Sequence, residues 1–327
     1  MSQTAWPPQM PVAPTSAQPA RPTRTANVWE LTRNELFKLW KRPLVWGMLI
    51  LDLFFVFAAW MVLVFYATKT HDGFTAGHLL GGPDALSQSI GQPMTLGRRG
   101  GEFIVAALGG LAFGGEFSSG AIRLVLSRGV NRASYLIAKF IALGIACLAL
   151  VLASLLMSAI LTNFLIFIHQ PAPTLLNLNG PTMVALLGIC LGTIENFLLC
   201  LLLGAALSMI ARSAAFGIAT AFGYLIGEDI AAQILPVIGK SVHLQLGDQI
   251  NMLLYTTNIN AFYADTLPKA LAQGLDKLDG VIACNPVTKG CAPVNIGQAL
   301  IVTLVWALVL GGVSTYLLLS GMCCSSK

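Results

Sequence analysis

The residues most able to do chemistry in this sequence are carboxylates set inside long apolar runs. Asp52 lies in the first such run, Glu195 with Asn196 near the middle of the fourth, and Glu228 with Asp229 toward the far part of the fifth. An ionisable side chain inside a bilayer is costly, so it marks either a proton or cation relay or a group held by a partner. Glu195 and Asn196 are the candidate intramembrane polar site, because Glu195 is the deepest acid. Glu228 and Asp229 point about 100° apart on a helix and cannot both face one pathway. No metal centre is expected, since there is no HExxH and no Cys/His cluster of metal spacing. A Walker loop needs a Lys after its last glycine, and "GGEFSSGAI" has none. The chain is therefore not expected to be an enzyme or to carry a cofactor, and any ATP hydrolysis falls to another chain.

Seven cysteines divide by position, with Cys323 and Cys324 following the last apolar run on the inside. Cys147, Cys190 and Cys200 fall in apolar runs and read as packing residues. Cys284 and Cys291, in "CNPVTKGC", fall in a long polar stretch, where Pro286 and Lys289-Gly290 favour a turn. A disulfide between them is expected on the oxidising side of a membrane.

The elements that must position these groups follow from composition. Of 327 residues, 56% are hydrophobic and only 10% charged, and mean hydropathy is +0.75. A soluble protein carries about 25% charged residues. The surface must therefore meet lipid, and the fold class is an all-α polytopic membrane protein, since the apolar runs are continuous rather than alternating. The net charge of +5 reads as a topology signal and not as nucleic-acid binding. A span needs about 20 apolar residues. Six are expected, near 44–66, 101–117, 135–167, 182–210, 214–235 and 297–320. The second is short and rich in glycine, which suits close helix packing.

Residues 1–26, rich in Pro, Ala, Ser and Thr, read as a disordered cytoplasmic tail. Residues 27–42 form an amphipathic interfacial helix that leads into the first span. Val28, Leu31, Leu36, Leu39 and Trp40 share its apolar face, and Glu30, Arg33, Glu35 and Lys38 its polar one. Residues 43–322 hold the six spans, with outer loops at 68–99 and 236–296, and 323–327 form a short cytoplasmic tail. Orientation follows from Lys and Arg at span ends. Arg33, Lys38, Lys41, Arg42, Arg123, Arg128, Arg132, Lys139 and Arg212 crowd one side, while Arg98 and Arg99 join the sparser set of the outer loops. Both termini are then cytoplasmic. The outer loop 236–296 is apolar enough to contain short helices set against or into the membrane.

On the cytoplasmic side, "GGEFSSGAIRLVLSRGVNR" separates the second and third spans. Ser118 or Ser119 can cap a helix. Ile122, Val125 and Leu126 supply an apolar face, and Arg123 and Arg128 a basic one. A short surface helix fits that pattern, with snorkelling arginines as the simplest use.

These residues resemble the permease subunits of type 2 ABC transporters, mostly exporters. That family carries E-[FY]-x-x-G-[TS]-[LI]-R followed by an S-R-P-[VI]-[SN]-R element. Here Glu116, Phe117, Gly120, Ala121, Ile122 and Arg123 are followed by Ser127, Arg128, Gly129, Val130, Asn131 and Arg132, with Ala121 and Gly129 departing from it. The resemblance extends over about residues 27–322. It implies a multi-pass protein of a prokaryotic plasma (inner) membrane. It also implies two kinds of partner, a second permease half (as homodimer or heterodimer) and an ABC ATPase subunit. Glu116, Phe117, Ile122, Arg123, Leu126, Arg128 and Arg132 are the implied ATPase-docking residues, on a cytoplasmic coupling-type helix. Two other readings stand beside it. One is a non-transporting structural or anchoring subunit of a larger complex that retains the permease fold. The other is a secondary transporter using Glu195, against which the two halves of the chain show no obvious repeat.

Overall fold

The computed structural model describes residues 27–69, 85–120, 131–169, 180–241, 250, 252–259 and 296–320. The described residues are helical, with no strand among them. The expected tail 1–26, the segment 121–130, the final residues 323–327 and most of the two long loops lie outside them.

Helix α1 spans Val28–Lys41, with Glu30 in its first turn and Lys38 and Lys41 in its last. That order complements the helix dipole. Arg42 is extended, as the residue before a proline should be, and Pro43 opens α2, Pro43–Lys69. Helix α3 spans Ala85–Ser118, α4 Arg132–His169, α5 Gly180–Ala211, α6 Ala214–Ser241 and α7 Ile296–Ser320.

Five of these helices contain stretches long and apolar enough to cross a membrane: Pro43–Val62, Arg132–Phe164, Leu186–Ala211, Ala214–Ala232 and Gly297–Leu317. Their outer faces expose large apolar side chains, among them Ile50 and Phe54 on α2, Leu152 and Leu156 on α4, and Leu304 and Leu308 on α7. A folded surface of this kind needs a lipid solvent.

Helix α3 is different. It begins at Ala85, well before the expected 101, so the second half of the expected loop 68–99 is helix and Pro93 lies within it. It packs against α2, α4, α5 and α6 at once. Because other helices wrap it, it has little need of lipid-soluble side chains, and small and polar residues take their place. The closest contact is with α5. A side chain at Gly204 would collide with the Ala106 carbonyl, and one at Gly109 with the Leu201 carbonyl. Gly101 lies against Phe197 and Gly114 against Ser213 and Ala214. The numbers rise together, so α3 and α5 run parallel. Helix α6 runs against them, with Ile218 beside Gly110 and Asp229 beside Arg99. Close approach through small residues is the general solution where lipid supplies no hydrophobic drive between helices.

The face that α1 turns to the protein is the expected one only in part, with Val28, Leu31 and Leu36 half-buried. Thr32, Glu35 and Leu39 are buried, whereas Trp40 is exposed. The helix packs along α4, and that neighbour accepts the narrow Thr32–Glu35–Leu39 line while the bulky aromatic groups turn away.

Candidate functional site

Two buried polar clusters lie on α3, at Glu102 and at Glu116. Fourteen positions at about 1.5 Å per residue set them roughly 21 Å apart along the helix.

The first cluster is built from the turn Arg98–Glu102. Arg98 Nη1 donates to Glu102 Oε1 at 2.8 Å, and Arg99 Nη1 to Glu102 Oε2 at 3.3 Å. These are the i,i+4 and i,i+3 spacings that bring side chains together on one helix face. Asn196 Nδ2 of α5 donates to Glu102 Oε1 at 2.8 Å. Arg99 Nη1 reaches across to Asp229 Oδ1 of α6 at 2.8 Å. Three helices are thus joined through two arginines, two carboxylates and one amide. The formal charges cancel, which is the condition under which such groups are tolerated away from water.

The short segment 252–259 closes over this cluster. Its backbone N–H at Thr256 donates to Glu228 Oε1 at 2.9 Å. The Tyr255 hydroxyl lies 3.4 Å from the Asn196 carbonyl and 3.3 Å from Cys200 Sγ. Burial, with the negative groups nearby, holds the Tyr255 phenol well above its ordinary value, so it stays a neutral hydroxyl. Tyr255, Asn258 and Ile259 are buried, and Trp306 Nε1 of α7 donates to the Leu253 carbonyl at 3.4 Å. Residues 252–253 and 255–259 of the expected 236–296 loop are helical and packed against the other helices.

Asp52 belongs to a smaller arrangement. Its Oδ2 accepts a hydrogen bond from Ser154 Oγ of α4 at 2.6 Å, and it is 1% exposed. Gly101 of α3 packs so closely that a Cβ there would lie 2.8 Å from Asp52 Oδ1. Among the described residues its side-chain partner is a hydroxyl and not a cation.

The second cluster ends α3. Glu116 accepts from Lys139 Nζ and, at 2.5 Å, from the Tyr135 hydroxyl, both on α4. Lys139 also sits over the Phe113 ring, 4.7 Å from its centroid. Glu35, Lys38, Leu39 and Arg42 line the same small space from the α1 side, and Lys38 is paired to Glu35 at 2.5 Å. Beyond Glu116, α3 closes with Gly120 at φ +69°, where its N–H donates to the Phe117 carbonyl at 3.2 Å. That left-handed position is where a helix commonly ends in glycine.

The sequence-expected residues therefore scatter. Asn196 is fully buried in the first cluster, while its neighbour Glu195 is only half-buried. Glu228 and Asp229 divide as their 100° offset requires, one to Thr256 and one to Arg99. Glu116, expected on a docking surface, faces inward to Lys139 and Tyr135. Phe117 is half-buried against the core, and Arg132 opens α4, also half-buried. Ile122, Arg123, Leu126 and Arg128 lie outside the described residues, as do Cys284 and Cys291. Sequence reasoning missed Arg98, Arg99 and Glu102. The spacing 98–102 was the available signal, hidden because the stretch before 100 read as an outer loop.

Among the described residues no group of three or more His, Cys, Asp and Glu could hold a metal. The chemistry on view is charge compensation between helices. No family model matches the chain, and no curated protein matches it.

Proposed function

We propose that this chain is the transmembrane permease subunit of an ABC transporter, an exporter, driven by a separate ATPase subunit that docks at about residues 116–132. In this reading α3 crosses the membrane with the five apolar helices, giving six spans with both termini in the cytoplasm of a prokaryotic cell. A second permease half completes the pathway, and the chain itself hydrolyses nothing.

One observation carries the reading. The segment after Gly120 is flanked by α3 and α4, and Glu116 of α3 is clasped by Tyr135 and Lys139 of α4. Force applied to that segment is therefore delivered to two helices as one body. One of them, α3, is the helix that most of the bundle surrounds. A docking element for a motor needs such a rigid root.

The test is purification of the tagged chain from its own membrane. A co-purifying ATPase is expected, with turnover that falls at least tenfold when Arg123→Glu and Leu126→Asp are combined. An ATPase complex that stays fully bound and active in this variant would sink the docking assignment. An assembly without any nucleotide-binding chain would favour the structural or anchoring alternative.

A further inference from the structure

The outward face of α1 carries Trp29, Phe37 and Trp40, which are 66%, 62% and 64% exposed. Trp29, Arg33, Phe37 and Lys41 follow one another at i,i+4 spacing and form a single stripe, with Trp40 alongside. Lys41 Nζ lies over the Phe37 ring, 5.4 Å from its centroid. Trp46 of α2 stacks edge-on with Trp40 at 4.6 Å and donates its Nε1–H to the Trp40 carbonyl at 3.0 Å. The exposed Leu44, Ile50, Leu51 and Phe54 of α2 belong to the wall that faces hydrocarbon. The charge of the α1 stripe is net positive. Arg33 and Lys41 are exposed on it and in no ion pair among the described residues, the exposed Glu30 lies on the same side near Arg33, and Glu35 is turned inward and already paired with Lys38.

We propose that this aromatic and basic face of α1 docks on the bilayer surface through anionic lipid headgroups. The tryptophans sit at the level where one end of a ring is wet and the other dry. The arginine and lysine between them meet phosphate-bearing headgroups of net negative charge. The occupant is lipid because the chain leads directly from this face into an apolar wall that only lipid can solvate, and because its net charge has the sign that anionic headgroups complement.

The experiment uses the full chain in nanodiscs of phosphatidylcholine, with and without phosphatidylglycerol. Hydrogen exchange is read across Val28–Lys41. Phosphatidylglycerol is expected to slow exchange in the parent. In Arg33→Gln with Lys41→Gln that gain falls by about 25-fold, at roughly fivefold per charge, and high salt shrinks it in the parent. Trp29→Ser with Phe37→Ser lowers protection in both lipids. Equal gains in the parent and the charge variant would overturn the proposal. So would protection of α1 that ignores lipid charge but vanishes on deleting residues 1–26, on dissociating a partner chain or on dilution to the monomer.

Discussion

The two clusters on α3 solve the same problem differently. The one at Glu102 uses two guanidinium groups, two carboxylates and an amide to join α3, α5 and α6. The one at Glu116 uses a single ammonium and a phenol to join α3 to α4. Arginine brings a planar fork that serves several acceptors at once, whereas lysine offers a compact point charge on a flexible stem. The first suits a fixed knot in the interior. The second suits a joint at the end of a helix, next to a segment expected to be pushed. The contrast teaches that burial of charge alone does not distinguish a strut from a joint, and that the number of helices tied does.

Removing the shared acceptor should have the largest effect. Glu102→Leu removes the carboxylate that Arg98 and Arg99 share, leaving Arg99 with Asp229, with a loss of about 3–5 kcal/mol. Thermal unfolding in detergent reads it, with Glu102→Gln as the milder companion that should still fold. Stability of Glu102→Gln indistinguishable from the parent would dissolve the knot as a stabilising feature.

Next comes the backbone contact beside the knot. Gly204→Val forces α5 away from the Ala106 carbonyl and should cost about 1–3 kcal/mol or more. Gly223→Ala, in open space on α6, should be neutral or slightly stabilising. If both substitutions behave alike in the same unfolding assay, the close α3–α5 approach is not what holds those helices.

The joint is better tested by coupling than by stability. A double-mutant cycle on Glu116→Gln and Lys139→Met should give an interaction energy of about 1–3 kcal/mol. In a complex with the ATPase proposed above, either change should also lower ATP turnover more than Glu102→Gln does. The reverse order would exchange the roles assigned to the two clusters.

The smallest effects separate two adjacent residues. Asn196→Leu removes a donor from Glu102 and should cost about 1–3 kcal/mol. Glu195→Gln should stay within about 0.5 kcal/mol. A large loss at Glu195 with none at Asn196 would restore Glu195 as the polar group that matters within α5.

Much of the frame was legible before any coordinates. The stretches of α2, α4, α5, α6 and α7 announce themselves because their outer faces meet lipid, and lipid imposes a composition that hydropathy can read. The break before Pro43 was legible for a local reason, the steric conflict that proline creates with the residue preceding it. Helix α3 was read only in part. Its first half carries Ser, Gln and Arg, and a hydropathy reading takes such residues for a loop when it cannot know that Arg98 and Arg99 will find acceptors on α3 and α6.

The polar site was legible as a set of suspects without partners. Local spacing determines that Arg98 and Arg99 can reach Glu102, and that Glu228 and Asp229 must diverge. Spacing says nothing of Asp229 meeting Arg99 across 130 positions, or of Asn196 rather than Glu195 turning inward. Likewise, the period of α1 specifies an amphipathic helix, yet its apolar residues occupy two sectors. The sequence by itself determined composition, apolar runs and helix ends, because lipid, backbone sterics and helix periodicity act within a few turns. Tertiary structure alone decided which side of each helix is the inside. That choice depends on the shape and charge of neighbours brought from distant parts of the chain, which no local pattern encodes.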